Sequence, residues 1–334
     1  MNIYCTLFDS NYLDKGLTLY YSLCACEEAF RLYVFTFDDK SRDILRQEAL
    51  ENMVVVPLEE FESPALQKVK KERTRAEYCW TCTPWTIRYV LEHFHEPICT
   101  YIDADMMFYS SPGYVFDAMH QAGCSTIIVP HRLGNGKRNR QREAHVGKYC
   151  VEFNTFVNDE QGRAVLHWWA DACLDWCFYV PPGTGESRYG DQKYLEEFSK
   201  RFPGVFICEE FGMGIAPWNA SQLKLVEGTQ KPCQVEVVAT GNRYPVVFFH
   251  FAGVMHLSKT YININSGIKD RALHRVLCNA YVKSIKAQRA YLLEKYGLEL
   301  YLRRKVTDSP LMAFYQRFLS PITHIRRVSD IYKI

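Results

Sequence analysis

No stretch of the sequence reaches the roughly 18 consecutive apolar residues that a membrane-spanning helix requires, so a helical integral membrane protein is not expected. An excess of either charge is also missing. Forty Lys and Arg face 38 Asp and Glu, a formal net charge of +2, and no global field points to nucleic acid or another polyanion. Repeats and low-complexity tracts are absent, which leaves no basis for a solenoid or a disordered chain. The first eight residues carry no basic stretch ahead of an apolar one, so they read as a first strand and not as a signal peptide. Cysteine is plentiful at 13, but the odd number and the scatter from Cys5 to Cys278 give no disulfide framework. The Cys79/Cys82 pair lacks a second pair at zinc-site spacing and reads as buried, reduced thiols. A reducing compartment, the cytosol, is the expected location.

What is present is core-forming material: 48% of the 334 residues are hydrophobic and 14% aromatic, enough for one large α/β domain with an appendage or for two modest ones. Asn2–Phe8 is a short apolar run that ends in Asp9-Ser10-Asn11, residues suited to a turn and a helix cap. A helix is expected next, with Leu13, Leu17, Tyr20 and Cys24 on one stripe. Further apolar runs at 32–37 and 53–58 are separated by a polar helix, a helix is expected over 73–92, and a fourth strand, Ile98–Ile102, stops at Asp103. Strand, helix, strand in alternation predicts a doubly wound, mostly parallel sheet with a ligand beyond the strand C-termini. Later runs at 125–130, 149–157 and 246–251 read as strands, and 132–147 as a polar, basic, mobile surface loop. A further helix carries a stripe of Val165, Trp168, Ala172 and Trp176, and 270–295 reads as a long C-terminal helix.

Asp103 and Asp105 flank Ala104 at the end of a buried run. Carboxylates at i and i+2 can point to the same side of the chain. Such a pair suits a hard divalent cation completing its shell with phosphate oxygens, or else two solvated aspartates at a strand end. Asp9-Ser10-Asn11-Tyr12, Asp103-Ala104-Asp105, Phe153-Asn154-Thr155, Asp191-Gln192 and His250-Phe251-Ala252-Gly253 follow one another along the chain. Their joint order resembles the retaining glycosyltransferases of the glycogenin and bacterial lipooligosaccharide galactosyltransferase family, over about residues 1–260. There the motifs read D-D-N-Y, D-x-D, F-N-A-G, D-Q and H-x-x-G.

The resemblance implies a GT-A fold, that is, a Rossmann-like, mostly parallel sheet flanked by helices, with a catalytic domain over 1–262 and a nucleotide-binding half over about 1–105. A helical extension with a basic tail would occupy 263–334. By the resemblance Asp9, Asn11 and Tyr12 hold the nucleoside, with Tyr12 stacking on the base, and Asp103, Asp105 and His250 bind Mn²⁺ or Mg²⁺. Asp103 also faces the donor, Asn154 hydrogen-bonds a sugar, and Asp191 and Gln192 lie against the reactive face of the donor sugar as catalytic residues. The activity implied is transfer of a hexose from a nucleotide-diphosphate sugar, a UDP-sugar, to a saccharide acceptor with retention, in surface polysaccharide or lipooligosaccharide synthesis. A nucleotidyltransferase or nucleotide-sugar hydrolase on the same sheet, or a non-catalytic carbohydrate-binding relative, is the alternative.

The chain departs from the family pattern in three places. Thr155-Phe156 stand where a small residue and a glycine are usual. His256 occupies the position of the lysine that grips the diphosphate. Arg73, Arg75 and Arg88 compete for the place of the family arginine upstream of D-x-D. In the last 35 residues seven Lys or Arg (Arg303, Arg304, Lys305, Arg317, Arg326, Arg327, Lys333) face Asp308 and Asp330, and Leu311, Met312, Phe314, Tyr315, Phe318 and Leu319 fall on a helical stripe. That composition predicts peripheral attachment to an anionic membrane on its cytoplasmic face, with a lipid-linked saccharide as acceptor.

Overall fold

The apolar run Asn2–Phe8 forms strand β1, buried from Ile3 onward. It leads through a short 3-10 turn into α1 (Leu13–Cys26), then β2 (Phe30–Thr36), α2 (Asp39–Glu48) and β3 (Met53–Pro57). Three further helices, α3 (Leu58–Phe61), α4 (Pro64–Lys70) and α5 (Arg75–His93), precede β4 (Ile98–Ile102). Next come β5 (Met106–Phe108), α6 (Gly113–Gln121), β6 (Thr126–Pro130), α7 (Lys137–Val146), β7 (Tyr149–Val157), α8 (Glu160–Asp175) and β8 (Val205–Ile207). This computed structural model describes residues 1–228, 232–256, 261–300 and 330–333.

Seven strands make the central sheet in the order β3-β2-β1-β4-β7-β6-β8. Every neighbouring pair is parallel except the two made by β7. This is the mixed α/β, mostly parallel, helix-flanked sheet that the alternation of apolar runs leads one to expect. Local signals fix the helix starts. Asp38 accepts from Ser41 N at 2.8 Å, Thr74 and Glu77 close a reciprocal capping box, and Asp159 accepts from Gly162 N at 2.8 Å; each such cap contributes about 1 kcal/mol. One face of the sheet buries Tyr4, Leu32 and Phe153 against α1 and α6. The other buries Tyr33, Phe35 and Phe156 against α5 and α8, the latter through Trp169, each large apolar side chain contributing about 1.5–3 kcal/mol.

Two expectations need correction. Residues 132–147 are not all loop, because Lys137–Val146 is helical. Its basic sequence has no apolar stripe, and polar contacts hold it instead: Gln192 Nε2 donates to Val146 O at 2.7 Å and Lys148 N to Glu196 Oε1 at 2.8 Å. The inward face of α8 is Val165, Trp169 and Cys173, not Val165, Trp168 and Ala172. The two stripes differ by one residue of helical rotation, and Trp169 wins by packing between Phe156 and Phe198. The strand expected at 246–251 is found as Phe248–His250, buried and paired antiparallel with β5.

The C-terminal helix, Arg271–Tyr296, starts at Asp270, which accepts from Leu273 N at 2.7 Å, and ends at Gly297 in the left-handed conformation (φ +61°). It lies on α1 and α2, where Ser284 Oγ meets Thr18 Oγ1 at 3.2 Å, Arg289 Nη1 meets Asp14 Oδ2 at 3.3 Å and Tyr291 OH donates to Glu48 at 2.7 Å. Leu298 and Leu300 are buried in the same core as α1. The chain returns at Asp330, which is 2% exposed and accepts from Ser266 N at 3.0 Å and from His274 Nε2 at 2.5 Å. Ile331–Lys333 then pairs with Tyr261–Asn263. The apolar stripe expected at 311–319 and the basic residues from Arg303 to Arg327 lie outside the described residues. Among the described residues no helix is long and apolar enough to cross a membrane. All 13 cysteines are free thiols, with Cys82 buried and Cys79 half-buried.

Candidate metal and donor site

One turn and one strand pairing bring Asp103, Asp105 and His250 together at the C-terminal edge of the sheet. Beyond β4 the chain turns sharply, with Asp103 N donating to Glu152 O and Met106 N to Asp103 O, both at 3.2 Å. Resuming as β5, it pairs with Phe248–His250, and Phe251 N donates to Asp105 O at 2.9 Å. That pairing carries His250 to the two aspartates. One ligand atom each from Asp103, Asp105 and His250 lies within 4.8 Å of the others. His250 Nε2 is 3.0 Å from Asp105 Oδ1 and 3.6 Å from Asp103 Oδ2. Two carboxylates and a neutral imidazole nitrogen suit a divalent cation such as Mn²⁺ or Mg²⁺ that takes its remaining ligands from phosphate or water.

Glu152 is a residue that sequence reasoning missed. It is fully buried on β7, and its Oε2 lies 2.6 Å from His250 Nδ1. A carboxylate on that nitrogen fixes the ring orientation and turns Nε2 toward the aspartates, as outer partners of metal-bound histidines do. Glu152 is closely packed: a Cβ on Gly214 (φ +96°) would fall 2.7 Å from Glu152 Oε1 and 2.7 Å from Val129 Cγ1. Cys150, Glu152 and His250 form a second, wholly buried grouping. Burial pushes the Cys150 thiol up to about 12, so in the metal-free protein it stays protonated.

The cluster is electrostatically tense. Burial drives the Asp103 carboxyl up, with the charge of Asp105 adding to this and that of His250 opposing it, and the result is about 6. Burial also raises Asp105, but His250 and Lys15 outweigh it and bring the carboxyl down to about 2. Burial pushes the His250 imidazole down, yet the charge of Asp105 and the bonds to Asp105, Cys150 and Glu152 hold it well above its usual value. A proton on His250 thus balances charge that a cation would balance in its place.

The other candidates gather around this centre to different degrees. Asp9 ends β1, the strand beside β4, accepts from Asn11 N at 2.8 Å and makes an ion pair with Arg75. Arg75 is therefore the one of three competing arginines that faces the Asp9–Tyr12 loop. Arg73 is turned inward to Thr81 and the Leu174 carbonyl, and Arg88 pairs with Glu92 at 2.9 Å. Asp38 braces the same loop, accepting from Ser10 N at 3.1 Å and Ser10 Oγ at 2.7 Å. Tyr12 keeps 36% of its surface exposed, and its phenol feels Lys15, Asp105 and Asp103.

Asp191 is 5% exposed, and burial together with the charge of Asp103 pushes its carboxyl up to about 8. Its carbonyl accepts from Trp169 Nε1 at 2.9 Å, and its side chain makes no cap bond to the following turn. The Gln192 amide is committed to Val146 O. Asn154 is fully buried in β7, opposite Tyr101 of β4, with Nδ2 on Phe153 O at 3.0 Å and Oδ1 without a partner. The side chain of His256 lies outside the described residues.

No family model matches the chain. It is similar to two proteins of Bacillus subtilis (strain 168), both named as uncharacterized: YfnF, 29% identical over 75% of this chain and 80% of that one, and YfnD, 27% identical over 85% and 88%. Among solved structures, the galactosyltransferase LgtC in complex with donor and acceptor sugar analogues is 11% identical over 75% of this chain and 87% of that one, with a TM-score of 0.45. The glycosyltransferase GlyE of Streptococcus pneumoniae TIGR4 is 14% identical over 63% of this chain, with a TM-score of 0.39, and the match spans 47% of the GlyE chain.

Proposed function

We propose that this chain is a metal-dependent glycosyltransferase that moves a hexose from a nucleotide-diphosphate sugar, a UDP-sugar, to a saccharide acceptor with retention of configuration. The observation that supports it is the convergence of Asp103, Asp105 and His250 at the C-terminal edge of the sheet, with Glu152 behind the imidazole. A divalent cation bound there supplies Lewis-acid neutralisation of the departing diphosphate. Asp103, Asp105 and His250 would hold that ion, Asp9 with Arg75 and Asn11 would frame the nucleoside, and the half-exposed Tyr12 ring offers a stacking face for its base.

Asp191 is the chain's carboxyl for the sugar side. Its raised affinity for a proton reflects burial and the negative charge of Asp103. A cation held by Asp103 and Asp105 would offset that negative charge and favour the ionised form of Asp191, the form that stabilises an oxocarbenium-like centre. The acceptor fits a saccharide of surface polysaccharide or lipooligosaccharide synthesis presented at an anionic cytoplasmic membrane face, a reading supported by the basic, aromatic composition of the last 35 residues.

The test is Asp105→Asn. It removes a ligand from a strand-end turn, so the variant should stay folded in EDTA with a melting temperature lowered by loss of the ion pair to His250, lose Mn²⁺-dependent stabilisation by UDP, and lose turnover about 100-fold or more. Undiminished turnover by the parent in EDTA, or an inverted anomeric configuration in the product by NMR, would overturn the reading.

A further inference from the structure

Lys15 lies on α1, one turn beyond the Asp9–Tyr12 loop, and is only 6% exposed. Its Nζ stands 3.8 Å from the centroid of the Tyr12 ring, and its charge helps hold down the Asp105 carboxyl. The neighbouring carboxylate, Asp14, is taken by Arg289 of the C-terminal helix, Nη1 to Oδ2 at 3.3 Å. Among the described residues no carboxylate comes within 4.0 Å of Lys15 Nζ. An ammonium so far out of water without an ion pair is costly, and an anion arriving beside it removes that cost.

A second unsatisfied group lies nearby. The Tyr281 hydroxyl, on the C-terminal helix, is fully buried and has no hydrogen-bond partner. It lies within electrostatic reach of Asp105, Asp14 and Tyr12. An ammonium whose one close partner is the Tyr12 ring and a buried hydroxyl without a hydrogen-bond partner thus both lie within electrostatic reach of Asp105.

We propose that Lys15 is the cationic side chain that meets the diphosphate of the donor in this protein, between the base-stacking ring of Tyr12 and the metal ligand Asp105. This assignment rests on the nucleotide-sugar reading above. A point charge on a flexible stem beside the cation site suits an oxygen-rich group whose charge grows as the glycosidic bond breaks. Tyr281 would donate a hydrogen bond to the same group, which makes the C-terminal helix part of the donor pocket.

The experiment is calorimetric titration of the full-length chain, saturated with Mn²⁺, with uridine and with UDP, comparing the parent with Lys15→Met and Lys15→Arg. Lys15→Met should weaken UDP about 10- to 100-fold while leaving uridine and Mn²⁺ affinities within about twofold, and Lys15→Arg should recover most of the loss. Equal weakening of uridine and UDP marks a structural role and overturns the assignment, as does unchanged UDP affinity in Lys15→Met. A parent chain that binds Mn²⁺ but no UDP overturns the donor reading and the role of Lys15 with it. A parent that binds UDP while Lys15→Met is unaffected overturns only the latter.

Discussion

Replacing Asp191 by Asn should stabilise the protein while disabling it. The carboxyl is pushed to about 8 from an ordinary 3.8, by burial and then by the charge of Asp103. Below pH about 4 the acid is neutral in both folded and unfolded chains and contributes no difference. As pH rises from about 4 to about 8 the unfolded chain ionises freely while the folded one resists, so stability is lost across that window and the loss is complete above it. The displacement amounts to about 5 kcal/mol at pH 8. An Asn oxygen keeps the favourable influence of the Thr83 hydroxyl and the local backbone on that position, but its NH₂ is left seeking a partner in a buried slot, at a cost of about 1–3 kcal/mol.

The net gain is about 2–4 kcal/mol at pH 8, falling to nothing or less near pH 4. For 334 residues the unfolding entropy is about 0.7 kcal/mol/K, so the gain is a rise in melting temperature of about 3–6 °C. Scanning calorimetry in EDTA at pH 4.5 and pH 8 measures it directly. Mn²⁺ should narrow the gap, because a cation at Asp103 removes part of the repulsion. A variant less stable than the parent at pH 8, or a gap that does not widen between the two pH values, would refute the reasoning. Turnover by the same variant should fall about 100-fold or more.

Two other substitutions address the supports of the site. Glu152→Gln removes the charge behind His250 Nδ1, and Mn²⁺ affinity measured by electron paramagnetic resonance should drop about 10- to 100-fold; unchanged affinity would show that the carboxylate does not orient the ring. Asp330→Ala leaves His274 and the Ser266 amide without their buried partner, and a denaturant melt should report a loss of about 2–4 kcal/mol; a melt like that of the parent would mean the last strand holds without its anchor.

The parts of the site that could be read from sequence are those whose residue types are rare in their surroundings. Asp103 and Asp105 interrupt an apolar run, and His250 sits in one; both patterns point to strand ends where polar side chains have a task. Glu152 was equally available in principle. It and Asn154 stand at alternate positions of the buried run Tyr149–Val157, and an ionisable residue on a buried face implies a partner. Its partner, however, is 98 residues away, and only the pairing of β5 with Phe248–His250 brings the two together. Helix α7 was unreadable for the opposite reason. Its sequence lacks the apolar periodicity that announces a helix, and Gln192 on its last carbonyl and Glu196 on the Lys148 amide just past its end, both remote in sequence, supply what holds it.

The position of β7 as the one reversed strand of the central sheet has a consequence for ion selectivity. Because it runs against β4, it brings Glu152 level with the turn that follows β4, and Asp103 N is bonded to the Glu152 carbonyl. His250 is bonded through its own amide to Ile215 O, and the carbonyl of Asp105 is held by Phe251 N. Each group that would touch a cation, and the one that aims the imidazole, is therefore pinned by its backbone before any ion arrives. A cradle made in this way loses little conformational freedom on binding and yields little to the size of what enters. Ions compete for it by radius and by tolerance for a nitrogen ligand, so Ca²⁺, larger and partial to oxygen, should be a poor substitute for Mn²⁺ even where it is far more abundant.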